Sequence, residues 1–215
     1  MHPCCVRHFY NAACVFDELK CDGTIQLREY TPDTTNKCET GDCAAIVAPS
    51  VTTFSVLPTC ADNHVTDTEK HLKGKPYVIV ETYSGTGCMG DFTKAVAVVV
   101  SGKCFPSRTG NMSYQVTLGA SDLSVTWMEF TGGNCSTNVT TMSFMASDVD
   151  RKMCVKNTMK VLAAKPGGSA GATTKPSASA NGTGLSPAPT SDATSGVTTI
   201  VAAVLLAAAT TVVLA

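Results

Sequence analysis

Cysteine is the residue type that offers the most chemistry in this 215-residue sequence. Eleven cysteines lie at loop-sized spacings, and all of them precede residue 163. No two have the C-x-x-C spacing of thioredoxin-like redox sites and zinc ribbons. Scattered cysteines in a small domain are typical of disulfides formed outside the cytosol. We therefore expect disulfides at Cys14, Cys21, Cys38, Cys43, Cys60, Cys88, Cys104, Cys135 and Cys154.

The last four of these cysteines allow three different pairings. Joining neighbours, Cys88 with Cys104 and Cys135 with Cys154, closes loops of about 16 to 19 residues. A loop of that length is worth about 3 kcal/mol by the chain-entropy estimate, so we favour this pairing. The connectivity among the earlier cysteines stays open.

The N-terminal sequence bears on where the protein is made. Its longest apolar run, residues 12–16, is shorter than the roughly 7 to 15 apolar residues at the core of a secretory leader. We therefore expect the true start of the protein to lie upstream. An upstream cysteine would also explain the odd cysteine count, and the alternative is an unpaired thiol at Cys4 or Cys5.

Four N-x-Ser/Thr sequons point to the same compartment, because N-glycans are added to secreted chains. They lie at Asn111, Asn134, Asn138 and Asn181. The formal net charge of −1 and the pI of about 6.4 argue against the basic surface that nucleic-acid binding requires. We expect a glycoprotein that has no nucleic-acid partner.

Acidic residues offer the one catalytic option, because the sequence has no G-x-S-x-G, H-E-x-x-H, Walker or dinucleotide-binding motif. Asp17 with Glu18, or Asp148 with Asp150, would form a carboxylate pair if folding brings suitable members into one cleft. That alternative is a cell-surface hydrolase. Neighbouring acids in a polar loop are ordinarily just solvated, so we favour a non-catalytic protein.

Two histidines are the remaining candidates for a metal site. His64 and His71 are seven residues apart and would share one face of a helix. Histidines on a polar segment are ordinarily surface residues, and we favour that interpretation. We expect neither a metal nor a cofactor.

Residues 197–215 are apolar and uncharged, and they predict attachment to a membrane. A glycosylphosphatidylinositol (GPI) signal combines small residues at the attachment site, a polar spacer and a hydrophobic tail of roughly 10 to 20 residues. Ser191 is the expected attachment residue, and Asp192 is the second candidate. The alternative is a transmembrane helix from Val197, although a span usually needs about 20 apolar residues. Both predict an extracellular head with membrane lipid as its partner.

Residues 163–196 form a predicted stalk. They are mostly Ser, Thr, Ala, Gly and Pro, which have too little apolar bulk to fold. Ser and Thr with Pro are typical of O-glycosylated stalks, and a plain flexible linker is the alternative. Either would hold the head away from the bilayer.

Upstream of the stalk, the sequence has the two-residue period of β-strands. Ile25 and Leu27 alternate with Gln26 and Arg28, which places Arg28 on the polar face of a half-buried strand. Gly-rich turns about ten residues apart predict a mainly β fold, a small disulfide-rich antiparallel sandwich or barrel. The predicted strands are residues 24–30, 53–56, 77–83, 95–100, 113–118, 125–130, 140–145 and 155–162.

A cysteine pattern recurs in the two halves of the head. Tyr10 and Cys14 recur as Tyr83 and Cys88, about 73 residues later. If the recurrence is a tandem duplication, it predicts two cysteine-rich β modules. If it is coincidence, the head is one domain. The modules would be residues 1–75 and 76–162.

The stalk, the tail and the motif Y-S-G-T-G-C at residues 83–88, followed by Gly102-Lys103-Cys104, carry a family resemblance. In this architecture the chain resembles the cysteine-rich, GPI-anchored cell-surface proteins of oomycetes and related microbial eukaryotes. The resemblance implies a structural, adhesive or ligand-binding role at the cell surface, with a cell-wall glycan as a candidate ligand. It brings no catalytic residues to this chain.

Overall fold

The computed structural model describes residues 10–35, 37–47, 53–120, 122–149 and 153–165. Some of the features predicted from the sequence lie outside the described residues. These are the thiol candidates Cys4 and Cys5, the acid Asp150, the sequon at Asn181, the attachment residues Ser191 and Asp192, the apolar tail and all but the first three residues of the stalk.

Eleven β-strands and one α-helix make up the described part of the chain. The strands are β1 (Tyr10–Phe16), β2 (Ile25–Pro32), β3 (Ala44–Ile46), β4 (Phe54–Ala61), β5 (Tyr77–Tyr83), β6 (Phe92–Val99), β7 (Phe105–Pro106), β8 (Met112–Leu118), β9 (Val125–Thr131), β10 (Val139–Phe144) and β11 (Met159–Ala164). The helix α1 spans His64–Leu72, and short 3₁₀ turns lie at Thr86–Cys88 and Ala146–Asp148. Every predicted run overlaps a strand, whereas β1, β3, β7 and α1 lie outside the predicted runs.

The strands form two antiparallel sheets. The larger has the order β11-β5-β6-β2-β1-β4-β3, and the smaller has the order β10-β9-β8-β7. One face of the larger sheet packs on the smaller one, because fully buried residues of both sheets belong to a single apolar core, among them Leu27, Val98, Val116 and Trp127. The predicted mainly β, disulfide-rich antiparallel sandwich is confirmed.

The helix α1 packs on the other face of the larger sheet. Asn63 caps the helix, with its side-chain oxygen 3.0 Å from Val65 N. Val65 and Leu72 pack in a second apolar cluster with sheet residues that include Tyr30 and Ile79. Polar residues on this face of the sheet are therefore buried as well.

The larger sheet takes strands from both predicted modules. β1 to β4 come from residues 1–75, whereas β5, β6 and β11 come from residues 76–162. β2 pairs with β6, from Leu27 opposite Val98 to Tyr30 opposite Ala95. The predicted boundary at residue 75 is wrong, because the backbone hydrogen bonds between β2 and β6 join the two halves into one compact unit. The stalk boundary also shifts, since β11 continues to residue 164.

A repeat is present, but its offset differs from the predicted one. β1 and β2 correspond to β5 and β6, 67 residues later, with the same strand bounds. Both hairpins have a register shift at the same place. Cys21 and Cys88 occupy the same position in the two turns, with φ of 53° and 56°. The predicted match of Tyr10 with Tyr83 is wrong, because Tyr10 begins its strand and Tyr83 ends its own.

Candidate functional site

Four disulfides cross-link the described part of the chain. Eight of the nine cysteines that were expected to form disulfides do so. The predicted pairs Cys88–Cys104 and Cys135–Cys154 are wrong. The observed pairs are Cys21–Cys43, Cys38–Cys60, Cys88–Cys154 and Cys104–Cys135.

Strand pairing, rather than loop length, determines which cysteines meet. Cys88 follows β5, and β11 pairs with β5, so the segment before β11 returns to the Cys88 turn. Cys88 N donates to Asn157 O at 3.2 Å, and Tyr83 N donates to Thr158 O at 2.8 Å. These hydrogen bonds hold Cys154 beside Cys88, with the two Cα atoms 5.8 Å apart. The sequence separation of 66 residues closes a longer loop, which constrains the unfolded chain more strongly.

Cys14 is the ninth of these cysteines, and it is a buried free thiol. It lies opposite Arg28 of β2, whose Nη1 donates a hydrogen bond to Cys14 Sγ. Burial raises the pKa of the Cys14 thiol, which outweighs the opposing effect of the guanidinium charge. A reactive cysteine needs the reverse, a lowered pKa and access to solvent. The expected disulfide at Cys14 is therefore wrong, and the thiol is chemically protected.

Arg28 is the centre of a buried polar cluster between α1 and the larger sheet. Its Nε donates to Tyr30 Oη at 2.8 Å, and its Nη2 donates to Thr59 Oγ1 at 3.1 Å. Nη2 also forms an ion pair with Asp67 of α1, and Tyr30 Oη donates to the same carboxylate at 3.0 Å. The polar side of β2 was predicted correctly, but α1 covers it. Asp67 therefore ties the helix to the sheet through the guanidinium.

A second buried polar group lies beside this cluster. His64 Nε2 is 2.7 Å from Glu81 Oε1, and Tyr83 Oη donates to the other carboxylate oxygen at 2.7 Å. The His64 ring stacks on Phe92, with the ring centroids 5.0 Å apart. The expected surface position of His64 is wrong, since its side chain is 4% exposed. Within the described ranges, no three or more His, Cys, Asp or Glu residues form a group that could hold a metal ion.

The acids expected to form a catalytic pair make separate local contacts. Asp17 Oδ2 accepts a hydrogen bond from Gln26 Nε2 at 2.7 Å, within the first hairpin. Asp148 Oδ2 accepts one from Met145 N at 2.9 Å, in the turn after β10. Among the described residues, no hydrogen bond joins Asp17 to Asp148. Each of these contacts is local to its own turn.

Two other acids flank Tyr114, whose side chain lies in the core between the sheets. Glu129 of β9 is the direct cross-strand partner of Tyr114, and Glu29 of β2 approaches from the larger sheet. Burial raises the pKa of Tyr114, and both carboxylates raise it further. Burial also raises the pKa of Glu29, against the opposing hydrogen bond and charge of Arg108. The sequence held a signal for Glu29, because it shares a strand face with the apolar Leu27.

A cleft of about 430 Å³ opens between the two sheets, and Glu129 lines it. Val80, Trp127 and Met159 supply apolar walls, and Lys94 supplies a positive charge. Trp127 Nε1 donates to Glu129 Oε1 at 3.1 Å, which holds the carboxylate at the wall. Mostly apolar clefts with a few convergent polar groups are where proteins bind small ligands. This cleft is the candidate functional site.

In the part of the chain that the structure describes, no helix has the length and apolar character needed to cross a bilayer. The tail on which the anchor prediction depends lies outside the described residues. The chain matches no protein-family model, no curated protein sequence and no solved structure.

Proposed function

We propose that this chain is an extracellular, membrane-tethered surface protein with a non-catalytic, ligand-binding β head. The four disulfides support this proposal most strongly, because such cross-links form and persist in oxidising compartments. The segment after β11 supplies the stalk and the membrane attachment. The attachment is a GPI anchor at Ser191 or Asp192, with a transmembrane helix from Val197 as the alternative.

The inter-sheet cleft is the ligand site in this proposal. Lys94 and Glu129 bring opposite charges to walls that Thr82, Thr93 and apolar side chains complete, which suits a small molecule with both donor and acceptor groups. Trp127 is fully buried, so its ring offers no exposed face for stacking along a polysaccharide. We therefore propose a single polar unit as ligand, such as one sugar residue of a wall glycan, rather than a long glycan chain.

Fluorescence of Trp127 tests ligand binding directly, because it is the one tryptophan in the sequence and it lines the cleft. Glucose, N-acetylglucosamine and free amino acids serve as probes. We expect a saturable change with at least one probe and at least tenfold weaker binding in Lys94→Met and Glu129→Gln. The matched controls are Lys20→Met and Glu39→Gln, which change exposed residues elsewhere. No saturable change with any probe would contradict ligand binding at the cleft.

The anchor is tested by treating intact cells with phosphatidylinositol-specific phospholipase C. A GPI-linked head is released into the medium together with a known GPI-anchored control protein. Retention of the head, when the control is released, would favour the spanning helix from Val197. A reduced protein in the cytosol would contradict both forms of the proposal.

A cell-surface hydrolase is the second candidate function, and one observation favours it. Glu29 and Glu129 flank Tyr114, and paired carboxylates are the usual machinery of glycoside hydrolysis. These acids, rather than Asp17 and Asp148, would carry the reaction. Hydrolysis of 4-nitrophenyl glycosides that Glu129→Gln abolishes would favour this candidate over the non-catalytic one.

A further inference from the structure

The two sheets have four edge strands, and three of them carry features that discourage pairing with another chain. β3 has three residues, and β7 has two, of which one is Pro106. β11 carries Lys160. Short edges, proline and lysine are the usual means by which proteins protect an open sheet edge. The fourth edge, β10, has none of them.

β10 is a six-residue strand with the sequence VTTMSF, which has no charge and no proline. It pairs with β9 along its whole length and has no second neighbour among the described strands. Its first three residues are exposed, and the exposed fraction of Val139 is 53%. A long uncharged edge with free backbone groups is a template for pairing with a second copy of the same chain.

A glycosylation sequon overlaps the beginning of this edge. Asn138, Val139 and Thr140 form the sequence N-x-Thr, and Val139 is the first residue of β10. Asn138 is exposed, with φ of 40°, and the Thr140 hydroxyl is on an exposed residue. A bulky, hydrated glycan on Asn138 would begin one residue from the unpaired edge.

The two other sequons in the described residues are held by contacts that the Asn138 sequon lacks. In the sequon at Asn134 the middle residue, Cys135, is held in a disulfide, and Asn134 Oδ1 accepts from Ser136 Oγ at 2.6 Å. In the sequon at Asn111 the hydroxyl residue Ser113 is fully buried and donates to Gly132 O at 2.7 Å. Asn138 is thus the one described sequon whose Asn and Thr are both exposed and free of these constraints.

We propose that an N-glycan on Asn138 covers the open edge of β10 and keeps the head monomeric. The partner that the glycan excludes is a second copy of this chain, paired through β10. This inference rests on the proposed extracellular location, because N-glycans are added in the secretory pathway. The glycan would protect the β10 edge, as a short strand, a proline or a lysine protects each of the other three edges.

The test compares the full chain, produced in eukaryotic cells behind a secretory leader and purified in detergent, with two variants that lose the sequon. Asn138→Gln replaces the acceptor, whereas Thr140→Val removes the hydroxyl and keeps the Asn138 backbone unchanged. Asn134→Gln is the matched control, because it changes the same loop and leaves the Asn138 sequon intact. Light scattering after size exclusion measures the mass over a dilution series, and peptide mass spectrometry measures occupancy at Asn138.

We expect occupancy at Asn138, a monomeric wild type and a monomeric Asn134→Gln control. Asn138→Gln and Thr140→Val should self-associate at concentrations at least tenfold below any at which the wild type does. Adding Thr141→Lys, which places a charge on the edge, should return Asn138→Gln to the monomer.

Three results would overturn the inference. One is an unoccupied Asn138 in the secreted chain, and another is monomeric behaviour after the glycan is lost. The third is self-association that Thr141→Lys does not reverse, which would place the contact on a different surface. None of these three results contradicts the proposed extracellular function. A reduced chain in the cytosol would contradict that function as well.

Discussion

Cys14 and Arg28 are directly opposed residues of β1 and β2, and the guanidinium of Arg28 donates a hydrogen bond to the Cys14 sulfur. At the matching positions of the second hairpin, Glu81 is opposed to Ala95, and the Glu81 carboxylate contacts His64 of α1 instead. The repeat therefore keeps a buried polar side chain at this place but changes its partner. Both polar contacts lie under α1, so together they fix the helix on the sheet.

We predict that Arg28→Met destabilises the head by about 3 to 5 kcal/mol, because it removes the buried positive charge from the Asp67 carboxylate and leaves the neutral Tyr30 hydroxyl as a partner. The Arg28 side chain is 0% exposed and that of Asp67 is 14% exposed, so water compensates for little of the loss. Urea unfolding with disulfides intact measures the free energy. Arg108→Met is the comparison: the Arg108 side chain is 42% exposed, so water compensates for more of the lost charge and we expect a smaller loss than in Arg28→Met.

The double variant Arg28→Met/Asp67→Leu separates the value of the ion pair from the cost of an orphaned charge. We expect it to be more stable than Arg28→Met alone, since the uncompensated carboxylate is gone. A double variant that loses the sum of the two single effects would show that the two residues act independently.

We predict that Cys14 resists alkylation in the native protein and reacts after unfolding. Its thiol is buried, and its raised pKa keeps it protonated at neutral pH. Iodoacetamide labelling with and without guanidinium chloride, followed by peptide mass spectrometry, measures the reactivity at this position. Fast labelling of Cys14 in the folded protein would show that the cluster under α1 opens to solvent.

The observed disulfide connectivity predicts which thiol each cysteine variant liberates. Cys88→Ser should expose Cys154 to alkylation and leave Cys104 oxidised. Removing this disulfide should cost about 2 to 5 kcal/mol. Alkylation without reduction followed by peptide mapping gives the result. Labelling of Cys104 in Cys88→Ser would instead support a disulfide between Cys88 and Cys104.

The alternating residues of the chain were sufficient to predict most strands and the fold class. β5 and β8 alternate or are continuously apolar because they contribute to the inter-sheet core, and their predicted bounds differ from the observed ones by at most one residue. β1 is not apparent from the sequence, because YNAACVF is short, contains small residues and has no clear alternation. Its side chains are buried by elements distant in sequence, because Ala13 and Val15 join the core between the sheets and Ala12 joins the cluster under α1.

The buried polar clusters around Arg28 and Glu81 could not be predicted from the sequence, for a related reason. Arg28 occupies the polar face of β2, as the alternation indicates, but α1 begins more than 30 residues later and covers that face. The helix itself has a local signal in the sequence, Asn63 as its N-cap. The predicted disulfide connectivity was wrong for a similar reason, because the contact of Cys88 with Cys154 depends on the pairing of β5 with β11.

The raised pKa of Glu29 predicts a pH dependence of stability with a definite sign. Burial raises the pKa of the folded-state carboxyl above its ordinary value of 4.5, so the fold favours the protonated form. Stability contributed by this group is therefore fully present below pH 4.5 and is lost as the pH rises through the folded-state pKa. Glu29→Gln should gain stability relative to the wild type between pH 4 and pH 7.

Asp122→Asn supplies a control of opposite sign in the same measurement. Hydrogen bonds from Ser124 lower the pKa of Asp122, so its contribution is present above its ordinary value of 3.8 and is lost as the pH falls. Asp122→Asn should therefore lose stability relative to the wild type at neutral pH, and this deficit should shrink in acid. Urea midpoints measured from pH 3 to pH 8 give both curves. If the stability of the two variants relative to the wild type changed in the same direction with pH, burial of the Glu29 carboxyl would not be the cause of the pH dependence.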